Sequence, residues 1–101
     1  MKQIINGKKY DTETARFVCE YENTWNRTDF TWYKKELYLK KTGEFFFYIE
    51  GGPASPYARM VPGGSCGQSI IEPAYIEDAK EFIAKNGSVE LYEELFGEVE
   101  E

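Results

Sequence analysis

The chain has 101 residues, 42% of them hydrophobic and 17% aromatic, which suits one compact core. Its formal net charge of −6 is divided unevenly: residues 1–71 carry ten Lys/Arg against eight Asp/Glu, and residues 72–101 carry two against ten. The longest apolar run, residues 45–49, is far short of the roughly 20 residues a membrane-spanning helix needs, and two cysteines without a histidine make neither a disulfide framework nor a zinc site.

These bounds predict a cytoplasmic protein without a signal peptide, with reduced thiols, no cofactor and no bound metal. Along the chain, residues 3–10 contain Asn6-Gly7, a strong two-residue hairpin signal. Asp11 or Thr12 can cap one helical turn through Ala15. Arg16–Glu22 alternates, Phe17, Cys19 and Tyr21 against Val18, Glu20 and Glu22, as a half-buried strand does. Residues 23–29 are polar and turn-like, with Trp25 among them.

Residues 30–40 and 44–50 predict two strands joined by a tight turn at Lys41-Thr42-Gly43, where Gly43 supplies the positive φ. In the second of these, Phe45, Phe47 and Ile49 point one way and Phe46 and Tyr48 the other, so both faces pack against something. Residues 51–67 hold five glycines and three prolines and read as a long loop, with one helical turn at 56–59. Residues 68–72 read as a short edge strand.

Pro73 suits the first turn of a helix carrying Ile76, Ala79, Phe82 and Ile83, stopped at Asn86-Gly87. Ser88 caps a last helix with the stripe Leu91, Tyr92, Leu95 and Phe96, ended by Gly97. The expected fold is α+β: an antiparallel sheet of three to five strands, a long Gly/Pro-rich loop and two C-terminal helices. It forms a single domain, 1–101, with a sheet portion 1–72, an acidic helical portion 73–97 and a frayed tail 98–101.

Five segments carry a resemblance. They are Lys8-Lys-Tyr-Asp-Thr-Glu-Thr-Ala15, Leu37-Tyr-Leu-Lys-Lys-Thr-Gly-Glu-Phe-Phe46, Glu50-Gly-Gly-Pro53, Ile70-Ile-Glu-Pro73 and Tyr92-Glu-Glu-Leu-Phe-Gly97. In this order they resemble small uncharacterised proteins of Firmicutes, their phages and mobile elements, and the likeness spans nearly the whole chain. Glu72 interrupts the Ile-Ile-Pro of that pattern, and Gly63 to Gln68 replaces a segment that in those proteins tends to hold Asn, Trp and Ser. The group has no assigned catalytic residues, so none is carried over. The resemblance implies a mobile-element setting and the roles common there: inhibitors of host defence, sponges for small signalling molecules, or regulators.

Few residues suggest chemistry. Gly63-Gly-Ser-Cys-Gly67 spells Gly-x-Ser-x-Gly, but without a histidine base or an α/β-hydrolase length it is an ordinary loop. Glu20 and Glu22 share a strand face without a recognisable pocket for acid–base work. A glycine-rich backbone with an arginine can cradle an anion, which makes Gly51, Gly52, Arg59, Gly63, Gly64 and Ser65 candidate ligand-binding residues. Tyr33, Lys34, Lys35, Tyr38, Lys40, Lys41, Phe46 and Tyr48 interleave rings with lysines, as single-strand nucleic-acid binders do. The same pattern fills ordinary sheet cores, and the acidic C-terminus counts against nucleic acid.

The remaining signal is more aromatic surface than one sheet face needs. Trp25, Trp32, Tyr38 and Tyr48 are candidate anchors for a protein partner, and Glu90, Glu93 and Glu94 are candidates to meet a basic surface. The expectation is a non-enzymatic small binding protein, encoded by a phage or mobile element, that occupies a host or defence protein. One alternative is a nucleotide- or phosphate-binding protein, as an oligomer, that uses the loop from Gly51 to Gly67. A second is a single-stranded nucleic-acid binder. No membrane is involved in any of the three.

Overall fold

The computed structural model describes residues 1–24, 26 and 28–98. Its centre is a four-stranded antiparallel sheet in the order β3 (Arg16–Glu22), β4 (Tyr33–Leu39), β5 (Phe45–Gly51) and β8 (Gln68–Ala74). Two small ribbons flank it: β1 (Lys2–Ile5) with β2 (Lys8–Asp11), and β6 (Arg59–Val61) with β7 (Gly64–Cys66). Two helices follow, α1 (Ile76–Asn86) and α2 (Val89–Phe96). The α+β expectation, with two C-terminal helices, holds.

The alternation in β5 divides the core. Phe45, Phe47 and Ile49 join Leu37, Val18 and Cys19 under the helices, which contribute Ala79 and Ile83. Phe82 meets Phe47 edge to face at 5.1 Å, and Phe96 lies 5.7 Å from Phe45. Burying rings of this size supplies most of the hydrophobic drive. On the other face, Tyr10 of β2 meets Phe46 edge to face at 5.4 Å, with Ile71 beside them. Asn6 and Gly7, at φ 51° and 78°, form the left-handed turn that folds the β1–β2 ribbon back on itself.

The helix ends follow from local chemistry. The Ser88 hydroxyl accepts the Leu91 amide at 3.0 Å, and Gly97, at φ 90°, donates its amide to the Glu93 carbonyl at 2.8 Å. Helix α1 has Tyr75 at its N-cap without a side-chain acceptor, and Glu77 and Asp78 in its first turn complement the positive end of the helix dipole.

Three expectations change. Pro73 does not open a helix: it pairs with Phe46 as part of β8, because an edge strand leaves one side of its backbone unpaired and tolerates a residue without an N–H. The segment from Gly51 to Gly67 is not structureless and has no helical turn at 56–59. It carries the β6–β7 ribbon, turned at Pro62-Gly63 with φ 87° at the glycine. In β3 the register shifts between Phe17 and Cys19, a bulge that puts Val18 and Cys19 together in the helix-side core and turns Phe17 to the other face. There Phe17 meets Tyr38 edge to face at 5.8 Å.

No helix among the described residues is long and apolar enough to cross a membrane. The molecule measures 50 × 33 × 20 Å, and its radius of gyration of 15.0 Å exceeds the ~13 Å of a compact 100-residue domain. Twenty ångströms is the thickness of two layers, sheet and helices. Among the described residues, the second sheet face is covered only at the end where the β1–β2 ribbon lies.

Candidate functional site

That second face is the site of interest. The pairing of Glu36 with Tyr48 and of Tyr38 with Phe46 fixes which side chains share it. β4 presents Lys34, Glu36 and Tyr38; β5 presents Phe46, Tyr48 and Glu50; β3 adds Phe17, Glu20 and Glu22. The end near the β1–β2 ribbon is apolar and partly covered by Tyr10. The other end is charged, and among the described residues no helix or strand packs over it.

Rings hold the carboxylates in place. The Tyr38 hydroxyl donates to Glu36 Oε1 at 3.2 Å, and the Tyr48 hydroxyl donates to Glu50 Oε1. The Trp32 indole N–H donates to Glu22 Oε2 at 2.9 Å. Lys34 Nζ lies 3.5 Å from Glu36 Oε2, with both side chains about 15% exposed, so this pair is only partly screened by water. Burial, with Glu36 and Glu20 nearby, pushes the Tyr38 phenol up to about 12. Burial and Glu50 also raise Tyr48. Among the described residues, no three carboxylates or thiols converge closely enough to hold a metal ion. The acids are spread over three strands, which makes a field rather than a chelate.

The candidates from sequence separate into three places. Trp32, Tyr38 and Tyr48 come together on the open face. Tyr38 stacks on Phe46 with ring centroids 5.3 Å apart and planes 12° from parallel. Trp25 lies outside the described residues. Glu90, Glu93 and Glu94 sit on α2, on the opposite side of the sheet, where Glu94 pairs with Arg16 across to β3. One flat partner surface cannot touch both sets.

The glycine-rich candidates are spread out as well. Gly51 ends β5 in the sheet, and the Gly52 amide donates to the Trp32 carbonyl at 2.7 Å. A Cβ on Gly52 would stand 2.8 Å from the Phe30 carbonyl oxygen, so only glycine fits there. Arg59 lies at the base of the β6–β7 ribbon opposite Cys66, whereas Gly63 and Gly64 form its tip. The Ser65 hydroxyl is spent on the Pro53 carbonyl. The Ser65 contact holds β7 against the Gly52–Pro53 segment, while Arg59 and Gly63 stand at opposite ends of the ribbon.

The interleaved lysines also part company. Lys35 lies on the helix side, 4.1 Å from the centre of the Phe47 ring, and Lys40 lies 4.2 Å from that of Tyr10 and 3.3 Å from Glu44. Lys40 thus stands beside Tyr10 at the covered end of the second face, and Lys34 shares the charged end with Glu20, Glu22, Glu36 and Glu50. A phosphate backbone meets repulsion there.

Glu36, Glu50 and Phe17 did not stand out in the sequence. The even-numbered alternation of β4 and β5 was the available signal for the two acids; no signal marked the bulge that moves Phe17. No family model matches the sequence, and neither a curated protein nor a solved structure is significantly similar to it.

Proposed function

We propose that the chain is a non-enzymatic binding protein whose working surface is the open face of the four-stranded sheet. Its partner is another protein, of host or defence origin in the mobile-element setting that the resemblance implies, met in the cytoplasm. One observation supports this reading above the others: half-buried Tyr38 and Tyr48 lie diagonally across two strands at the edge of the β1–β2 cover, on a sheet face that no helix among the described residues packs against. Such rings lose little conformational freedom on contact and bring large area, the property that makes tyrosine and tryptophan dominate interfaces.

Affinity capture from nuclease-treated host lysate tests the reading, with Tyr48→Ala and Arg59→Ala compared with the parent and each variant first shown to be folded by its melting curve. The expected result is a stoichiometric protein retained by the parent and Arg59→Ala and lost by Tyr48→Ala. A small anionic molecule that co-purifies and is lost with Arg59→Ala would overturn it in favour of ligand sequestration.

A further inference from the structure

We propose that β8 is the seam of a symmetric dimer, its outer edge pairing antiparallel with the same edge of a second copy of this chain. This goes beyond the open face and does not depend on what that face holds.

The backbone pattern assigns the free groups. The Lys40 amide donates to the Glu44 carbonyl at 2.8 Å, and the Gly52 amide to the Trp32 carbonyl at 2.7 Å. Hydrogen bonding alternates along an antiparallel strand, so the even-numbered residues of β5 turn their amides and carbonyls towards β4 and the odd-numbered ones towards β8. The register matches Phe47 with Glu72 and Ile49 with Ile70. Glu72 and Ile70 are therefore bonded to β5, while the backbone N–H and C=O groups of Ser69 and Ile71 point away from the sheet. Pro73 falls in the same outward set, where the lack of an N–H costs no bond to β5. Among the described residues no strand pairs with β8 on that side, and no loop or side chain takes up the outward groups of Ser69 and Ile71.

The two edges of the sheet differ. At one edge β3 is interrupted by the bulge between Phe17 and Cys19 and carries Arg16, Glu20 and Glu22. Bulges and charges are the means by which sheet edges resist pairing. At the other edge β8 keeps an unbroken register along its whole length and holds one charge, Glu72.

A second copy is the occupant that this edge fits. A closed pair formed through one and the same surface has a two-fold axis, which makes the two strands antiparallel. Outward residues then face outward residues, and the N–H groups of Ser69 and Ile71 each meet a carbonyl of the partner strand. One contact thus satisfies the free groups of both chains. The end of each β8 also comes beside the start of the other, which brings Tyr75 and Ile76, 78% and 50% exposed, against the partner. The axis stands perpendicular to the sheet, so the two four-stranded sheets join into one with both open faces on the same side.

Sedimentation of the full chain at increasing concentration, with amide hydrogen exchange on the same samples, tests this. The expected result is a mass twice that of the chain, with the Ser69 and Ile71 amides as protected as those of Ile70 and Glu72. On dilution Ser69 and Ile71 lose that protection and Ile70 and Glu72 keep it. Raising ionic strength favours the dimer, because each copy carries a net charge of −6. Ser69→Pro leaves the bonds to β5 in place and removes one outward donor from each chain, so it weakens the dimer by about tenfold or more, whereas Ser69→Ala leaves it unchanged. The exchange pattern of the parent decides even without the variant. A folded Ser69→Pro chain that dimerises as the parent does, or a chain that stays monomeric with Ser69 and Ile71 exchanging freely at every concentration, would overturn the proposal. Protection of those two amides only when a different protein is present would overturn it as well.

Discussion

Glu44 sits in the turn between β4 and β5 within reach of Lys8 at 2.9 Å and Lys40 at 3.3 Å. Its hydrogen bond to Lys8, then that to Lys40, pulls its carboxyl down to about 2 from an ordinary 4.5. The folded carboxylate thus releases its proton more readily than the unfolded one, and its contribution is complete above about pH 4.5 and lost as pH falls towards 2. In acid unfolding followed by circular dichroism, Glu44→Gln flattens the loss of stability across that window; an unchanged slope would contradict the placement of Glu44. Tyr38 works in the opposite direction. With its folded phenol at about 12 against an ordinary 10.0, the unfolded chain ionises first as pH rises and stability falls between those values. Tyr38→Phe reduces that alkaline loss, and phenolate absorbance in the native protein shows Tyr38 among the late-titrating tyrosines, with Tyr33, Tyr48 and Tyr57, whose phenols burial also raises. Cys19 is buried, and burial pushes its thiol up to about 11. Alkylation of the native protein therefore modifies Cys66 and spares Cys19, while denaturation exposes both.

Among the elements, strand β5 and its neighbours were legible because alternating rings are a period-two signal, and α2 because Ser88, its apolar stripe and Gly97 agree with one another. Ser88→Ala removes the acceptor for Leu91 and costs about 1 kcal/mol, read as a fall in Tm of roughly 4–8 °C. What was not legible has physical causes. A bulge leaves the spacing of hydrophobic residues unchanged while reversing Phe17, so no pattern in Arg16–Glu22 betrays it. Pro73 is compatible with a helix start and with an edge strand, and only the register with Phe46 decides. The β6–β7 ribbon has three-residue strands with two glycines at its turn, too short for periodicity to show. The junction that fixes β5 to the β3–β4 connection depends on Gly52 lying against the Phe30 and Trp32 carbonyls. Gly52→Ala forces that backbone apart and destabilises the protein by about 1–3 kcal/mol in urea unfolding; a neutral result would mean that the junction yields easily.

At the scale of the whole molecule, the two-layer build follows from where the helices can go. Both follow β8 closely and pack on the Phe45–Phe47–Ile49 side, and the β1–β2 ribbon is long enough to cover only the Phe46 end of the other side. The charged remainder of that face was hidden in the sequence because its members come from three strands. Glu20, Glu36 and Glu50 become neighbours only once two registers are fixed. The central claim is that this face is where a partner sits. Side-chain oxidative footprinting of the protein, alone and in the complex captured from host lysate, tests it most directly. Protection on binding of Phe17 and Tyr48, with Met60 of the β6–β7 ribbon (80% exposed) reacting as before, is the predicted result. Protection of Met60 with Phe17 and Tyr48 unchanged would contradict it.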